Sequence, residues 1–459
     1  MNGLGIVQAW KRIATWLARV SGIGFYLYLL FRVYADVLVP RGTFFAINAV
    51  PAHWSWTAFL LALIPILLLP AAVRTVADCI LWVIYAMVVA PTIVLVQPVI
   101  GLMPYGLVCG LILALALAAY LSRLPPLALP IIKLGRIGFL GLLLFVWCAS
   151  NGFLLAKYGV TLHLVSFANV YDVRGQFAAS STGLVVYVVN WVANAINVVL
   201  LVFSLRTKGW RYLVLLAVLS QLDIYGLTGY KSVLAPLALV PLALWVNEVW
   251  WRRFLGALGW ILAALLATAT LVGYAYSALL LGMIDRIFLA PASLTALYYQ
   301  YFSAHPLPGP VYAVFREIYG VGGQIHTPAN IIGRLSVFPL KVMANANLFA
   351  DGYANFGWSG FIIIGVMLGV CLWLIKSVTR RFGLSLSMAL FLVAIVDMLN
   401  AGLPTILATH GLALLIVLCY LFPRMRDPVV GRLYPSFHLT NSDKAAPYGY
   451  HSRAHDVGA

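Results

Sequence analysis

Charge is scarce in this chain. Only 9% of its 459 residues are Asp, Glu, Lys or Arg, and acids are the rarer sign, 12 against 29 basic residues. A soluble domain needs a far more charged surface, so this composition excludes that class. The formal charge of +17 does not indicate nucleic acid, because the excess sits in short loops between apolar runs. Cysteine is also sparse. Cys79, Cys109, Cys148, Cys371 and Cys419 all fall inside apolar segments without metal-ligand spacing, so they read as small buried side chains and not as a disulfide framework. No Gly-rich nucleotide loop, HExxH, paired DxD or Ser-centred elbow occurs in a credible context. That argues against a metal-held nucleotide-sugar donor and against ATP drive. No metal or cofactor is expected.

What is present is apolar sequence, 63% of the chain. A hydrocarbon core requires internally satisfied backbone, and hence helices of about 20 residues each. Apolar windows predict twelve spans, roughly 14–36, 57–73, 76–97, 104–122, 137–157, 183–205, 211–228, 232–250, 256–280, 356–375, 383–401 and 404–422. The expectation is an all-α polytopic membrane protein with one transmembrane domain over 1–422. The first span, preceded by Lys11 and Arg12, reads as a retained anchor. Residues 423–459 read as a poorly ordered cytoplasmic tail.

Cations alternate with the spans. Lys11/Arg12, Arg74, Arg123/Lys133/Arg136, Arg206/Lys208/Arg211, Arg252/Arg253, Lys376/Arg380/Arg381 and Arg424/Arg426/Arg432 occupy every second connection. The positive-inside rule puts these, and both termini, in the cytoplasm. The opposite connections then face outward. They include about 158–182, the turn Thr228-Gly229-Tyr230-Lys231-Ser232, and about 281–355, the last too long for a simple connector. Ile284, Ile287, Phe288, Leu294, Tyr298, Tyr301 and Phe302 recur there at mostly helical spacing, which predicts a helix lying at the membrane interface. The whole segment reads as a folded outer loop between spans nine and ten.

Seven cations fall on the outward side against this bias: Arg41, Arg174, Lys231, Arg286, Arg316, Arg334 and Lys341. A guanidinium can hold two phosphate oxygens at once, and an ammonium adds a point charge. Arg174, Lys231, Arg286 and Arg334 are therefore candidate ligands of an anionic substrate, the pyrophosphate of a lipid-linked sugar. The plainer role for any one of them is snorkelling to lipid headgroups, and Arg41, Arg316 and Lys341 fit that better. Candidate acid–base groups on this side are Asp351, His326 and Asp172, although each suits a structural role as well. Asp172 stands two residues before Arg174 and can orient it. Asp223, near a span end, could pair with Lys231. Asp397, followed by Asn400, Gly402 and Pro404, marks a polar break near the outer surface.

Three segments resemble the O-antigen (oligosaccharide repeat-unit) polymerase family. They are Tyr171-Asp172-Val173-Arg174, Thr228-Gly229-Tyr230-Lys231-Ser232, and Asn347 to Gly360 with its Tyr353-Ala354-Asn355-Phe356-Gly357 core. Their order and spacing, with the large late loop, extend the resemblance over about residues 60–420. Family members often carry a basic residue directly after the Thr-Gly pair, whereas here Tyr230 intervenes before Lys231. The resemblance implies a GT-C-like, metal-independent glycosyltransferase at the outer face of the bacterial cytoplasmic membrane. Donor and acceptor would both be polyprenyl-diphosphate-linked oligosaccharides, and Tyr171, Tyr298, Tyr353 and Asn355 the candidate glycan contacts. It also implies a chain-length regulator of the co-polymerase type as partner. An O-antigen-type ligase, or a transporter or flippase of lipid-linked sugar, would use many of the same features.

Overall fold

The computed structural model describes residues 3–41, 53–130, 132, 134–162, 165, 169–181, 183–276, 278–307, 327–335 and 343–423. Arg316, His326, Lys341 and the 424–459 tail lie outside the described residues, as do the side chains of Arg41 and Tyr171. The helices described form the compact unit Met1–Arg424.

Among the described residues every regular element is helical. We number them α1 Gly3–Val33, α2 Trp56–Leu67, α3 Val76–Ile100, α4 Tyr105–Ser122, α5 Arg136–Tyr158, α6 Val170–Ser180, α7 Gly183–Arg206, α8 Val214–Thr228, α9 Lys231–Trp245 and α10 Glu248–Gly256. There follow α11 Leu258–Tyr276, α12 Ala278–Ile284, α13 Ala290–Ala304, α14 Pro328–Leu335, α15 Leu348–Phe356, α16 Ser359–Thr379, α17 Leu384–Met398, α18 Leu403–Ala408 and α19 Leu412–Leu421. Four single π turns interrupt or join these helices, at Tyr34–Leu38, Tyr85–Val89, Val192–Ile196 and Asp285–Leu289.

Each of the twelve apolar windows contains helix, but among the described residues six helices are long and apolar enough to cross a membrane. They are Ile13–Leu38, α3, α4, α5, α7 and α16. The pair α9 and α10 adds a seventh if counted as one span, yet it bends by 105° at its break. The reason is local. Asn247 caps α10 by accepting from the Trp250 N–H, which starts a new helix inside the window 232–250. The 15-residue α17 reaches about 22 Å at 1.5 Å per residue, short of a hydrocarbon core of about 30 Å.

The centre of the bundle is α3, buried along nearly its whole length. The tightest pairing is between α4 and α16. Gly365 and Gly369, one turn apart, face Ala114 and Ala118: a Cβ on Gly365 would stand 2.7 Å from the Ala114 carbonyl oxygen, and one on Gly369 would stand 3.1 Å from Ala118 Cα. Small residues on both sides let the backbones touch, which is how helices gain van der Waals contact without a hydrophobic drive. The 278–304 stretch is helical as its periodicity predicts. It does not lie free at an interface, however: Phe288, Leu294, Tyr298 and Phe302 are buried, and α13 packs on α3 and α15.

The outward surface is apolar, with Phe145, Trp245, Leu271 and Tyr274 all prominently exposed. Cys109 and Cys148 belong to that surface, unlike the buried Cys79, Cys371 and Cys419. The expectation of five buried thiols is therefore corrected for two, because an apolar residue on a lipid-facing stripe needs no protein neighbour.

Candidate functional site

The first element of the site is the turn after α8. Gly229 adopts φ +65°, ending the helix in the left-handed region, where a Cβ is strained. A side chain there would also meet the Val170 carbonyl of α6 at 3.3 Å. This close seat brings Arg174 onto the turn. Its Nε and Nη2 both donate to the Gly229 carbonyl at 3.3 Å, and its guanidinium lies 5.3 Å over the Tyr230 ring. Phe177 meets the same ring edge-on. The two segments that the sequence nominated separately thus form one structure, with Lys231 opening the next helix. Asp172 is exposed in the first turn of α6, where its charge suits the helix N-terminus. Asp223 accepts from the Thr161 N–H at 2.6 Å, and its own carbonyl accepts from the Thr161 hydroxyl at 2.7 Å.

The second element is built around α15. Asn347 caps it through Phe349 N and Ala350 N, and its amide donates to the Pro291 carbonyl and the Thr295 hydroxyl. That fixes α15 against α13. Tyr298, 1% exposed, donates from its hydroxyl to the Ala344 carbonyl at 2.8 Å. Burial, and then the charge of Asp351, hold its pKa well above the ordinary phenol value. This placement suits a tie between α13 and the chain entering α15, not a glycan contact. Tyr353 shares a hydrogen bond with Ser303 at 2.8 Å and packs 4.8 Å from the Tyr299 ring. Asn355 donates to the Asp351 carbonyl at 2.8 Å. Arg334 is exposed on α14, which packs against both α13 and α15. Arg286 is exposed in the π turn leading to α13, beside the buried Asp285.

The third element was not anticipated in full. Between α17 and α19 the helix breaks: α18 is only six residues long, and Gly411 turns the chain at φ +82°. Gly402, at the start of the break, lies so close to the Asp351 carboxylate that no Cβ fits between them. Across the same break Asp397 Oδ2, in the last turn of α17, stands 3.2 Å from His410 Nδ1, with side-chain exposures of 21% and 26% respectively. This is an ion-pair distance; the ring nitrogen is not aligned for a hydrogen bond. His410 lies inside an apolar window and so reads as span, although an ionisable residue in such a window is a functional suspect by default.

A chain of contacts joins the break to the cation turn. Trp191 donates to the Ala408 carbonyl at 2.7 Å, and a Cβ on Gly411 would meet Trp191 and Ala195. The π turn Val192–Ile196 sends the Asn197 N–H to Val192, leaving the Ala193 carbonyl without its usual donor. Gln221 supplies one, donating to Ala193 O at 3.1 Å and to Val233 O at 2.8 Å, two residues beyond Lys231. Asn197 donates to both Gln221 and Ser220, and Ser220 donates to Asn151. Every member of this buried network has a partner, so it fixes α5, α7, α8 and α9 against one another. Gln221→Leu should lower stability by about 2 kcal/mol, because carbonyls of Ala193 and Val233 would be left unpaired in an apolar interior. Thermal unfolding in lipid–detergent micelles checks this.

By contrast, α6 shares no extensive packing with α13, α14 or α15 among the described residues. The four nominated cations therefore do not form one compact cluster. Arg174 and Lys231 belong to one group, and Arg334 lies by the Asp351 group. Long apolar helices with an apolar outward surface define a membrane-embedded, all-helical protein. Compared with known protein families, curated proteins and solved structures, the chain finds no match.

Proposed function

We propose that this protein joins polyprenyl-diphosphate-linked oligosaccharide repeat units into a surface polysaccharide at the outer face of the bacterial cytoplasmic membrane. The observation that carries the reading is the Arg174 guanidinium seated on the Gly229 carbonyl and the Tyr230 ring, next to Lys231. Preset donors of this kind stabilise a diphosphate as its bond to the sugar breaks, and they act more strongly where water is scarce. The acceptor hydroxyl oxygen bonds to the anomeric carbon of the donor glycan. The carbon–oxygen bond to phosphate breaks, and polyprenyl diphosphate leaves with the electron pair. Twelve crossings in a GT-C-like arrangement, both termini cytoplasmic, complete the reading. In it, breaks such as those at 246–247 and 399–411 fall within crossings, and a chain-length regulator of the co-polymerase type is the partner.

Asp351, Arg334 and the exposed end of α14 form the glycan side of the site. Gly402→Ala would displace the Asp351 carboxylate without touching a cation. We expect about a tenfold loss of polymerisation with normal membrane insertion, read from polymer ladders at equal protein level.

Deleting the gene tests the reading in the cell. Acceptors capped with a single repeat are expected. Uncapped acceptors would favour a ligase, and lipid-linked repeats retained on the cytoplasmic side would favour a flippase.

A further inference from the structure

The broken segment between α17 and α19 holds the chemistry that the cation turn lacks. A glycosyl transfer to a hydroxyl needs a group that accepts the hydroxyl proton as the new bond forms. A carboxylate accepts it weakly at neutral pH, whereas imidazole titrates in that range. His410 is presented by a feature that ordinary span-forming sequence would not contain, a six-residue helix followed by a left-handed Gly411. Both His410 and Asp397 are partly open rather than sealed in the core. The 3.2 Å approach of Asp397 Oδ2 to Nδ1 places a negative charge where an imidazolium would need it. A proton held on Nδ1 by the Asp397 charge leaves Nε2 as the basic nitrogen. Gly402 presses this segment onto Asp351, and Trp191, Ala193, Gln221 and Val233 connect it to the turn bearing Lys231. His410, the Asp351 carboxylate and the turn bearing Lys231 are thus linked by one chain of helix contacts.

We propose that His410 is the general base of the transfer and that Asp397 is its positioning residue. This inference rests on the polymerase reading. As the acceptor oxygen bonds to the anomeric carbon, its proton passes to His410 Nε2, while the electron pair of the breaking bond leaves with the polyprenyl diphosphate. The imidazolium is held by Asp397 and returns its proton to water before the next cycle. Asp351 is left to orient the glycan.

The test uses purified full-length protein in proteoliposomes, supplied with lipid-linked repeat units. His410→Gln should lower kcat about 100-fold, in the range of a lost general base, with donor KM within about twofold of wild type. Asp397→Asn should lower kcat about tenfold, since the base remains but its imidazolium loses its counter-charge. Added imidazole should restore part of the activity of His410→Ala, which a merely structural role would not allow. Wild-type kcat in His410→Gln overturns the proposal. So does a loss confined to KM, or an absence of imidazole rescue in a folded His410→Ala. If the His410 variants fail to fold, Asp397→Asn decides, and an unchanged kcat there overturns the proposal. If the wild-type protein itself forms no glycosidic bond, the polymerase reading falls and this assignment with it. An active wild type alongside an equally active His410→Gln removes only the base.

Discussion

Arg174→Ala is expected to reduce polymerisation about 1,000-fold, the upper end of what one preset donor to a developing anion supplies. Two roles coincide in this side chain. Its Nε and Nη2 hold the Gly229 carbonyl, and its face lies on Tyr230. The same guanidinium would meet the diphosphate. Arg174→Lys separates the roles, because it keeps the charge and loses the planar fork. It should recover a part of the rate, about tenfold below wild type, together with near-normal diphosphate binding. If Arg174 served only to brace the turn, lysine would do no better than glutamine. The comparison is made on initial rates of chain extension at equal amounts of folded protein. Lys231→Ala should cost less, since a single flexible ammonium is a less specific ligand.

The second large effect is on folding. Gly365→Val puts three carbons where the α4 backbone already stands, with even the first of them 2.7 Å from the Ala114 oxygen and 2.8 Å from Ala114 Cα. Neither neighbour is a side chain that can rotate away. The α4–α16 pair must separate, which releases the contact at Gly369 one turn further on. We expect a loss of about 3 kcal/mol or more, at the high end for overpacking, seen as a collapse of the monodisperse peak in detergent. Gly141→Ala is the matched control. It sits mid-helix in α5 with open space around its Cβ position, so it should be neutral or slightly stabilising.

How much of this could be read in advance differs by element. Apolar periodicity locates the helices well, because each must satisfy its own backbone in lipid whatever its neighbours. It passes over the breaks, since those at 246–247 and 399–411 depend on a cap at Asn247 and a turn at Gly411 that hydropathy averages away. Arg174 and the Thr228–Lys231 turn are recognisable as separate segments, and only the fold reveals that one seats the other. His410 is hidden by its apolar window. The signal available was its companion, Asp397, and the Gly402 and Gly411 that bracket the break. The Gln221 network gives no local sign, because its partners lie on other helices and include the Ala193 carbonyl, freed by a π turn, and the Val233 carbonyl.

We propose that this membrane protein makes glycosidic bonds by displacing polyprenyl diphosphate. Purified protein in proteoliposomes, with lipid-linked repeat units supplied on one side and no nucleotide, measures it directly. A ladder of lipid-linked products growing by one repeat at a time is expected, with one polyprenyl diphosphate released per bond and both signals lost in Arg174→Ala. Movement of intact lipid-linked repeats across the bilayer, with no ladder and no released diphosphate, would contradict it.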